Sequence, residues 1–513
     1  MAVRTIEVPL NRVEGDLEVR VTVEDNRVVD AWSAGTTFRG FERLLVGRAP
    51  LDGLVLTPRI CGMCSTAHLY VAARALENLA GIVPPPDAIR VRNVALLAEN
   101  LQNDIRHSFL LFGADFVNEA YADLPIHAEA VRRYAPLAGT AAASALRESR
   151  KLLEIIAILG GQWPHSSFMV PGGVASVISA IDFLQCRHVL SRFRTYYETD
   201  VLGCPIARIA QVKTAADLDA WLDESPKHRD SELGFFLRFA RVARFAEIGK
   251  GPGNYVSYGS FDIPKGSAVQ ASDGGPNLIP SGFLSDQGHT TFDERQITEH
   301  IAHSWLVGYE GGMHPSTGVT EPYATGAEGT RYSWAKAPRY AGGATEVGPL
   351  AELLIAGHPL LTDLVAVHGG SNVLVRQLAR LLRGSTVLPA MATWLEEVGA
   401  DPGGLVLRDV EMRDGEGVGL GEAARGGLGH WIRVEAGRIS RYQVITPTGW
   451  NGSPRDAADV RGPWEDALRG IAVPDLENPI AIGHVVRSFD PCLVCTVHAI
   501  DVGNSKPAAR FRI

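Results

Sequence analysis

The sequence is poor in cysteine, with six among 513 residues. Six thiols are too few to stabilise so large a fold through disulfides, and reduced thiols are the default inside cells. No run of 18 or more apolar residues occurs, and the N-terminal segment has no apolar stretch long enough for a signal peptide. We therefore expect a cytoplasmic protein that is peripheral to the cytoplasmic membrane only through partner subunits.

Positive charge is not in excess either. Lys and Arg number 49 against 58 Asp and Glu, which gives a net charge of -9. Nucleic-acid binding requires a basic surface, so nucleic acid is not an expected partner. The sequence also lacks a Ser/Gly linker, a low-complexity tract and a clear repeat. Because 513 residues exceed the usual size of one compact core, we expect one large globule whose subdomains share a core.

The periodicity of apolar residues predicts a mixed α/β, mainly helical fold: a large central helical bundle with small peripheral β-sheets and hairpins. Residues 1–35 alternate in the manner of strands, and residues 250–345 should form loops and short strands. Residues 428–447 should form a hairpin that turns at Glu435–Gly437. Helical spacing marks the segments 39–50, 65–81, 88–117, 143–159, 176–197, 231–246, 346–357, 371–384 and 388–399.

Four of the cysteines form two CxxC pairs at opposite ends of the sequence. Cys61 and Cys64 lie in RICGMCSTAH, and Cys492 and Cys495 lie in DPCLVCTVH. If a helix starts near Gly62, both sulfurs of the first pair can face one point, and the helix N-terminus favours the thiolate. Only the fold can bring the two pairs together. Joined, they would make a four-thiolate site suited to soft or borderline metals.

Three other interpretations of the CxxC pairs remain open on chemistry alone. They are a tetrahedral zinc site, an iron–sulfur cluster and a pair of catalytic dithiols. A zinc knuckle normally draws its pairs from nearby sequence, whereas these lie far apart, and each pair also carries a His and a preceding ionic residue. The remaining cysteines, Cys186 and Cys204, are interpreted as small packing residues.

The two segments resemble the RxCGxCxxxH and DPCxxCxxH signatures of nickel–iron hydrogenase large subunits, and the resemblance extends over nearly the whole chain. It implies an oxidoreductase: the catalytic subunit of an uptake hydrogenase that cleaves H2 to protons and electrons. The implied Ni-Fe(CO)(CN)2 centre has nickel on all four thiolates. Cys64 and Cys495 would bridge to an iron that carries carbonyl and cyanide, and Cys61 and Cys492 would bind nickel alone.

The same resemblance implies catalytic roles around the metals. Glu14 matches the glutamate that passes protons to and from a nickel thiolate, although this sequence has Asp16 where the family usually has His. Arg425 matches the arginine that covers the open side of the metals and donates to a cyanide, and Asp490 would be its counter-ion. A buried carboxylic acid beside thiolates should have a raised pKa, which suits a proton relay.

Two further positions near the metals follow from the resemblance. Thr448 matches a hydroxyl that donates to the other cyanide, as a cofactor-binding residue like Arg425. A further acid should fall within LQNDIRH, where Asp104 is the prediction and Asn103 the alternative.

A second metal site is also implied near the C-terminus. Glu42, His498 and the backbone carbonyl of Val444 match the family's buried magnesium (or Fe2+) site, and hard oxygen ligands suit magnesium. The family's C-terminal tail is removed on maturation, so residues 499–513 are expected to be cleaved. The mature chain would be one domain, 1–498, that ends in the metal-binding segment 487–498.

The sequence supplies no further cysteines for an electron relay, so the resemblance implies a heterodimer with a small subunit that holds the iron–sulfur clusters. A maturation endopeptidase and metal-insertion factors would bind transiently. The RVEGD start, Arg487 and Ala424 are most similar to the group 2 uptake and sensory branch. A hydrogen-sensing subunit with the same metal site is the alternative. A respiratory complex I-type subunit would lack the four cysteines, and a zinc scaffold would hold no nickel.

Overall fold

The computed structural model describes residues 3–13, 17–136, 138–323, 329–399, 404–407 and 410–492. Helices dominate these ranges, as the apolar periodicity predicts. The helices of the N-terminal half are α1 (Phe41–Leu45), α2 (Gly53–Leu56), α3 (Ser65–Ala80), α4 (Pro86–Arg106), α5 (His127–Tyr134), α6 (Thr140–Leu152), α7 (Glu154–Gly160), α8 (Ala180–Tyr196), α9 (Ile206–Ile209), α10 (Ala215–Glu224), α11 (Pro226–Asp230) and α12 (Glu232–Val242). The later helices are α13 (Pro349–Ile355), α14 (Pro359–His368), α15 (Val373–Glu397), α16 (Pro447–Asn451), α17 (Pro463–Ala467) and α18 (Ile480–Ser488).

Small antiparallel sheets surround the helices. The predicted N-terminal strands form a three-stranded meander, and the Gly/Pro-rich region contributes short strands, as expected. The strands are β1 (Arg4–Leu10), β2 (Leu17–Glu24), β3 (Arg27–Gly35), β4 (Met169–Val170), β5 (Gly173–Val174), β6 (Tyr255–Asp262), β7 (Asn277–Ser285), β8 (Gly288–Thr290), β9 (Ile297–His300), β10 (Leu306–Val307), β11 (Gly312–Met313), β12 (Glu321–Pro322), β13 (Ala337–Tyr340), β14 (Gly415–Ala423), β15 (Gly426–Glu435) and β16 (Arg438–Ile445).

The predicted C-terminal hairpin is confirmed as β15 and β16, which turn at Ala436 and Gly437. The sheet has a third strand, β14, which the sequence pattern did not predict. β14 and β15 are joined by two residues only, Ala424 and Arg425, since Ala423 pairs with Gly426. Arg425 therefore stands at the tip of a tight hairpin.

Close packing of β14 on α3 explains the missed strand. Its residues 415–421 carry glycine at every second position, a composition that predicts a loop rather than a strand. A Cβ on Gly417 would overlap the carbonyl oxygen of Ala75, and one on Gly419 would overlap that of Val71. Glycine thus lets the strand lie directly on the helix. This contact fixes the Arg425 hairpin relative to the helix that follows Cys64.

Gly419→Ala is expected to lower the melting temperature sharply, because a backbone oxygen of α3 cannot move aside as a flexible side chain would. Overpacking of this kind costs about 1–3 kcal/mol or more. Gly53→Ala is a matched control, because Gly53 has a helical φ of -55 and a Cβ there meets only ordinary contacts of 3.6 Å. A thermal shift for Gly419→Ala no larger than for Gly53→Ala would contradict the packing argument.

One expected break in the helical core is absent. The sequence predicts separate helices over 371–384 and 388–399, but the structure has the single helix α15, with Pro389 inside it. Pro389 has no N–H, so the carbonyl of Ser385 loses its usual helical donor, and the helix nevertheless continues. Most of α15 is buried, and tertiary packing therefore outweighs the local preference for a break.

Buried apolar residues from both ends of the chain share one core, from Val8 in β1 to Cys492 after α18. This shared core supports our proposal that residues 1–498 form one domain. Within the described ranges, no single helix has the length and apolarity to span a membrane. α13 and α14, which are bent by 108° relative to each other, meet those criteria only when taken as a pair.

Candidate metal centre

Three of the predicted metal-binding cysteines lie together in the protein interior. Cys61 and Cys492 are separated by 431 positions, yet their Sγ atoms are 3.4 Å apart. The Sγ atoms of Cys61, Cys64 and Cys492 all lie within 4.8 Å of one another. Two sulfurs bound to one metal at about 2.3 Å lie up to about 4.6 Å apart, and the Cys61–Cys492 distance is well within this limit. The three thiols are therefore spaced as ligands of a shared centre would be.

Three other predicted site residues, Glu14, Cys495 and His498, lie outside the described residues. Cys495 is three positions beyond Cys492 in the chain. The roles assigned to these three residues stay predictions.

The helix after the first pair begins where the apolar spacing over residues 65–81 predicts, and not near Gly62, the start from which we expected both sulfurs of the first pair to face one point. It starts at Ser65 with Cys64 as its N-cap, so Cys61 lies in the preceding loop rather than at a helix start near Gly62. The buried carboxylate of Glu99, on α4, accepts hydrogen bonds from the backbone N–H groups of Thr66 (2.9 Å) and Ala67 (3.0 Å). These bonds satisfy the first free N–H groups of α3 and so fix its start.

Sequence reasoning missed Glu99 because it lies 35 positions after Cys64 and matches no motif. Trp163 Nε1 also donates to Glu99, at 3.0 Å. Burial raises the pKa of Glu99 to about 7, while the three N–H donors act in the opposite direction. Glu99 thus ties the cysteine loop to α4 and to the loop that contains Trp163.

Arg425 and Asp490 form a buried ion pair beside the thiols, which places the predicted arginine and its predicted counter-ion together. Arg425 Nε lies 3.0 Å from Asp490 Oδ1 and 3.0 Å from the Asp490 carbonyl oxygen. Burial disfavours the charged guanidinium, but Asp490 and the three thiols outweigh it and raise the pKa of Arg425 well above its ordinary value. Arg425 is therefore a fixed positive charge at this site.

Asp490 is held by several groups at once. Asn103 Nδ2 donates to Asp490 Oδ2 at 2.6 Å, while His107 and Arg380 lie 3.9 Å from its carboxylate. Burial opposes ionisation, yet Arg425, His107, Arg380 and Asn103 together lower the pKa of Asp490 to about 2. The carboxylate is accordingly ionised at neutral pH and balances the arginine.

Of the two candidates in LQNDIRH, Asn103 touches Asp490, whereas Asp104 lies against Arg383. Arg383 binds Asp104 through two nitrogens, at 2.8 and 2.9 Å, and donates to the carbonyl of Ala424 at 2.9 Å. Burial raises the pKa of Asp104 to about 7, and Arg383 opposes this shift. Asp104 therefore supports the Arg425 hairpin through Arg383.

A small cavity adjoins the thiols. Thr448 lines it, and Thr448 Oγ1 accepts the backbone N–H of Cys492 at 2.9 Å, which leaves the hydroxyl proton available for a second partner. Arg425 Nη1 and His68 Nε2 are buried and have no hydrogen-bond partner among the described residues. The lining residues are Cys64, His68, Ala423, Arg425, Leu428, Pro447, Thr448 and Cys492.

Behind the cavity, three buried rings form a chain. His68 Nδ1 lies 3.1 Å from His430 Nε2, and His430 Nδ1 lies 2.9 Å from the hydroxyl of Tyr442. Burial lowers the pKa of His68 to about 4, so this imidazole is neutral at physiological pH. His68 belongs to the first cysteine motif, but nothing in the sequence indicated its partners on β15 and β16.

Glu42 and Val444 line a second, small pocket. Glu42 Oε1 accepts the backbone N–H of Val444 at 2.9 Å, and the Thr320 hydroxyl donates to Glu42 Oε2. Lys336 Nζ lies 3.3 Å from Glu42 and 3.4 Å from Glu299, so two buried carboxylates face one ammonium group. Burial raises the pKa of Glu299 to about 7, although Lys336 opposes this shift.

The remaining two cysteines are buried, at 0% exposure for Cys186 and 6% for Cys204. Burial raises the pKa of Cys186 to about 12. A neutral buried thiol packs as a small apolar group, in line with the prediction for both.

Comparison with known proteins agrees with this geometry. A family model described as nickel-dependent hydrogenase matches residues 39–135 and 137–498. The periplasmic NiFeSe hydrogenase large subunit of Desulfomicrobium baculatum is 32% identical over 96% of this chain and 94% of its own length. The hydrogenase-2 large chain of Escherichia coli K12 is 27% identical, with 97% of each protein covered.

Comparison with solved structures also shows similarity to hydrogenases. The reduced, active Ni-Fe-Se hydrogenase from Desulfomicrobium baculatum matches with a TM-score of 0.80 and 30% identity, over 97% of this chain and 100% of that one. The predicted fold class is thereby confirmed. The chain belongs to the nickel-dependent hydrogenase family of oxidoreductases and is similar over nearly its whole length to their large subunits.

Proposed function

We propose that this chain is the catalytic subunit of a nickel–iron uptake hydrogenase, which converts H2 to two protons and two electrons. The observation that carries the proposal is the meeting of Cys61, Cys64 and Cys492 beside the buried Arg425–Asp490 pair. A structural zinc site requires four ligands but no adjoining cavity with a fixed cation. This arrangement has both the cavity and the cation.

The residues present fit a nickel–iron centre with diatomic ligands. Cys61, Cys64 and Cys492, together with Cys495, would supply four thiolates, a ligand set that suits soft and borderline metals. The cavity adjoins them, and Arg425 Nη1 lacks a hydrogen-bond partner in the described part of the chain. A buried donor of this kind costs free energy unless a ligand accepts from it. A metal-bound cyanide is such an acceptor.

The metal centre, when bound, would supply the chemistry that cleaves H2 heterolytically. The residues of this chain exclude water from the site and hold charged groups in fixed positions around the centre. Arg425 and the free hydroxyl proton of Thr448 would donate to the two cyanides. Asp490 balances the charge of Arg425 and holds its guanidinium in place. Glu14, by its match to the family motif, would carry protons between the thiolates and the surface.

Infrared spectroscopy of the purified large subunit with its partner tests the proposal. Iron-bound carbonyl and cyanide absorb in a region where protein is silent, so we expect one carbonyl and two cyanide bands together with H2-dependent reduction of an artificial electron acceptor. Absence of these bands from protein that holds stoichiometric metal would overturn the proposal. Zinc without nickel would point instead to a structural scaffold.

We further propose that the Glu42 pocket binds a hard divalent cation, magnesium or Fe2+. Two carboxylates and a hydroxyl are oxygen donors of the kind that such ions prefer. His498 and the carbonyl of Val444 would complete the site.

Glu42→Gln is expected to remove about one magnesium or iron ion per chain, as measured by elemental analysis, while nickel stays at the wild-type level. Loss of one charged ligand removes much of the electrostatic attraction for a hard cation. Glu465→Gln is a matched control, because Glu465 is also buried and accepts from Ser33 N–H at 2.8 Å, away from this pocket. Equal ion content in the two variants would contradict the assignment.

The similarity to named large subunits implies a smaller partner subunit. We propose that this partner holds the iron–sulfur clusters that receive the electrons, and that the heterodimer lies in the cytoplasm or at the membrane through further subunits. Maturation would involve metal-insertion factors and an endopeptidase that removes residues 499–513.

A further inference from the structure

The hydrogen bonds between the three rings behind the cavity can all donate in only one sense, either from Tyr442 towards His68 or from His68 towards Tyr442. The hydroxyl of Tyr442 has one hydrogen-bond partner among the described residues, His430 Nδ1, at 2.9 Å. His430 Nε2 in turn lies 3.1 Å from His68 Nδ1. Tyr442 is 2% exposed, and His430 and His68 are at 0%. Water therefore has little access to any of these donors and acceptors.

Only two proton arrangements satisfy both hydrogen bonds when the imidazoles are neutral. In the first, His68 donates to His430 and His430 donates to Tyr442, so the hydroxyl proton of Tyr442 is left over. In the second, Tyr442 donates to His430 and His430 donates to His68, so the proton on His68 Nε2 is left over. Each neutral imidazole has one donor and one acceptor nitrogen, which excludes other combinations.

The surroundings of the two ends select the second arrangement. The described residues offer the Tyr442 hydroxyl no acceptor other than His430 Nδ1, so a surplus proton there would be a buried, unsatisfied donor. At the other end, His68 lines the cavity, and its Nε2 is buried without a partner in the described part of the chain. Cys64 and Cys492 line the same cavity, and a thiolate accepts hydrogen bonds.

We propose that Tyr442 and His430 are positioning residues that fix His68 as the Nε2–H tautomer and direct that N–H at a thiolate of the metal centre. Successive hydrogen bonds polarise one another in a low-dielectric interior, so the Tyr442 hydroxyl strengthens the donor at the far end. The ring chain also occupies the Nδ1 lone pair of His68. This inference rests on the proposed function, since it requires metal-bound thiolates in the cavity.

The test is the infrared spectrum of the assembled holoenzyme in one defined redox state. Loss of a hydrogen bond makes a thiolate a stronger electron donor to the metals, which weakens the iron-bound carbonyl. Tyr442→Phe should therefore shift the carbonyl band to lower wavenumber, and His430→Met, which removes the donor to His68, should shift it further. Tyr442→Phe keeps the ring in place, so it remains informative even if His430→Met fails to fold.

His430→Gln supplies a conservative rescue. Its amide can donate to His68 Nδ1 while its carbonyl accepts from Tyr442, so the carbonyl band should return to near the wild-type position. Tyr332→Phe is a matched control, because it removes a buried tyrosine hydroxyl that donates to Glu465 at 2.7 Å. This variant should leave the band unmoved.

The outcomes separate the two proposals. An unshifted band in both Tyr442→Phe and His430→Met would overturn the positioning role while the proposed function stands. A shift in His430→Gln as large as in His430→Met, or an equal shift in Tyr332→Phe, would also overturn it. Absence of all carbonyl and cyanide bands from the metal-replete wild-type enzyme would overturn the proposed function itself.

Discussion

Replacement of Cys492 by alanine should leave the protein without stoichiometric nickel and lower H2 oxidation by at least about a hundredfold. The Sγ of Cys492 lies 3.4 Å from that of Cys61, so its removal takes away one of the closely spaced ligands. Loss of groups that merely orient ligands already costs about 10–100-fold in metal affinity or activity, and a direct ligand should cost more. Elemental analysis and H2-dependent dye reduction measure the two effects.

Cys186→Ala is the matched control for this experiment. Cys186 is an equally buried thiol, but it lies on α8 and has no part in the cysteine cluster. Its replacement should lower stability by about 1 kcal/mol through lost packing and leave nickel content unchanged. Stoichiometric nickel in Cys492→Ala, or equal nickel loss in Cys186→Ala, would contradict the assignment of the centre.

Asp490→Asn should destabilise the protein by about 3–5 kcal/mol, because the buried Arg425 then lacks its carboxylate counter-ion. Asp490 has a φ of 55, and asparagine adopts this left-handed conformation readily, so the substitution changes charge without adding backbone strain. Turnover per nickel should fall by about a hundredfold, since small displacements of a positioned group can cost that much. Thermal unfolding and dye reduction provide the measurements.

Asp456→Asn is the matched control, because it should lower stability without an effect on catalysis. Asp456 binds the buried guanidinium of Arg339 at 2.8 Å, so this variant also leaves an arginine without its counter-ion. Stability should fall to a similar extent, but turnover per nickel should match the wild type. If Asp490→Asn also kept wild-type turnover per nickel, Arg425 would have no role that depends on its orientation.

The parts of the site that the sequence predicted are those carried by short motifs. Cys61, Cys64 and Cys492 meet as expected, and Arg425 and Asp490 pair as expected. Each lies in a distinctive local segment whose chemistry can be inferred without knowledge of the fold. Strands and helices with regular apolar spacing were predictable for the same reason.

The residues that support the site were not predictable, because their roles come from contacts between distant segments. Glu99 caps α3 from α4, and Asn103 reaches Asp490 across 387 positions. His430 and Tyr442 look like ordinary strand residues until β15 lies beside α3 and β16 pairs with β15. A single sequence has no local signal for such pairings, and only the packed structure shows them.

β14 and α15 show the same limit for secondary structure. β14 was not predicted from the sequence, because alternating glycines disfavour a strand, yet close approach to α3 requires them there. The sequence predicted separate helices over 371–384 and 388–399, yet burial keeps α15 continuous. In both cases, contacts with the rest of the molecule outweighed local preference.

The long separation of Cys61 from Cys492 also sets an order of events during biosynthesis. The ribosome adds 431 residues between them, which takes roughly 20–90 s at about 5–20 residues per second. For that interval the first thiol pair belongs to a growing polypeptide whose opposite half does not yet exist. A metal delivered then would find half of a coordination sphere, so cofactor insertion must await the end of translation.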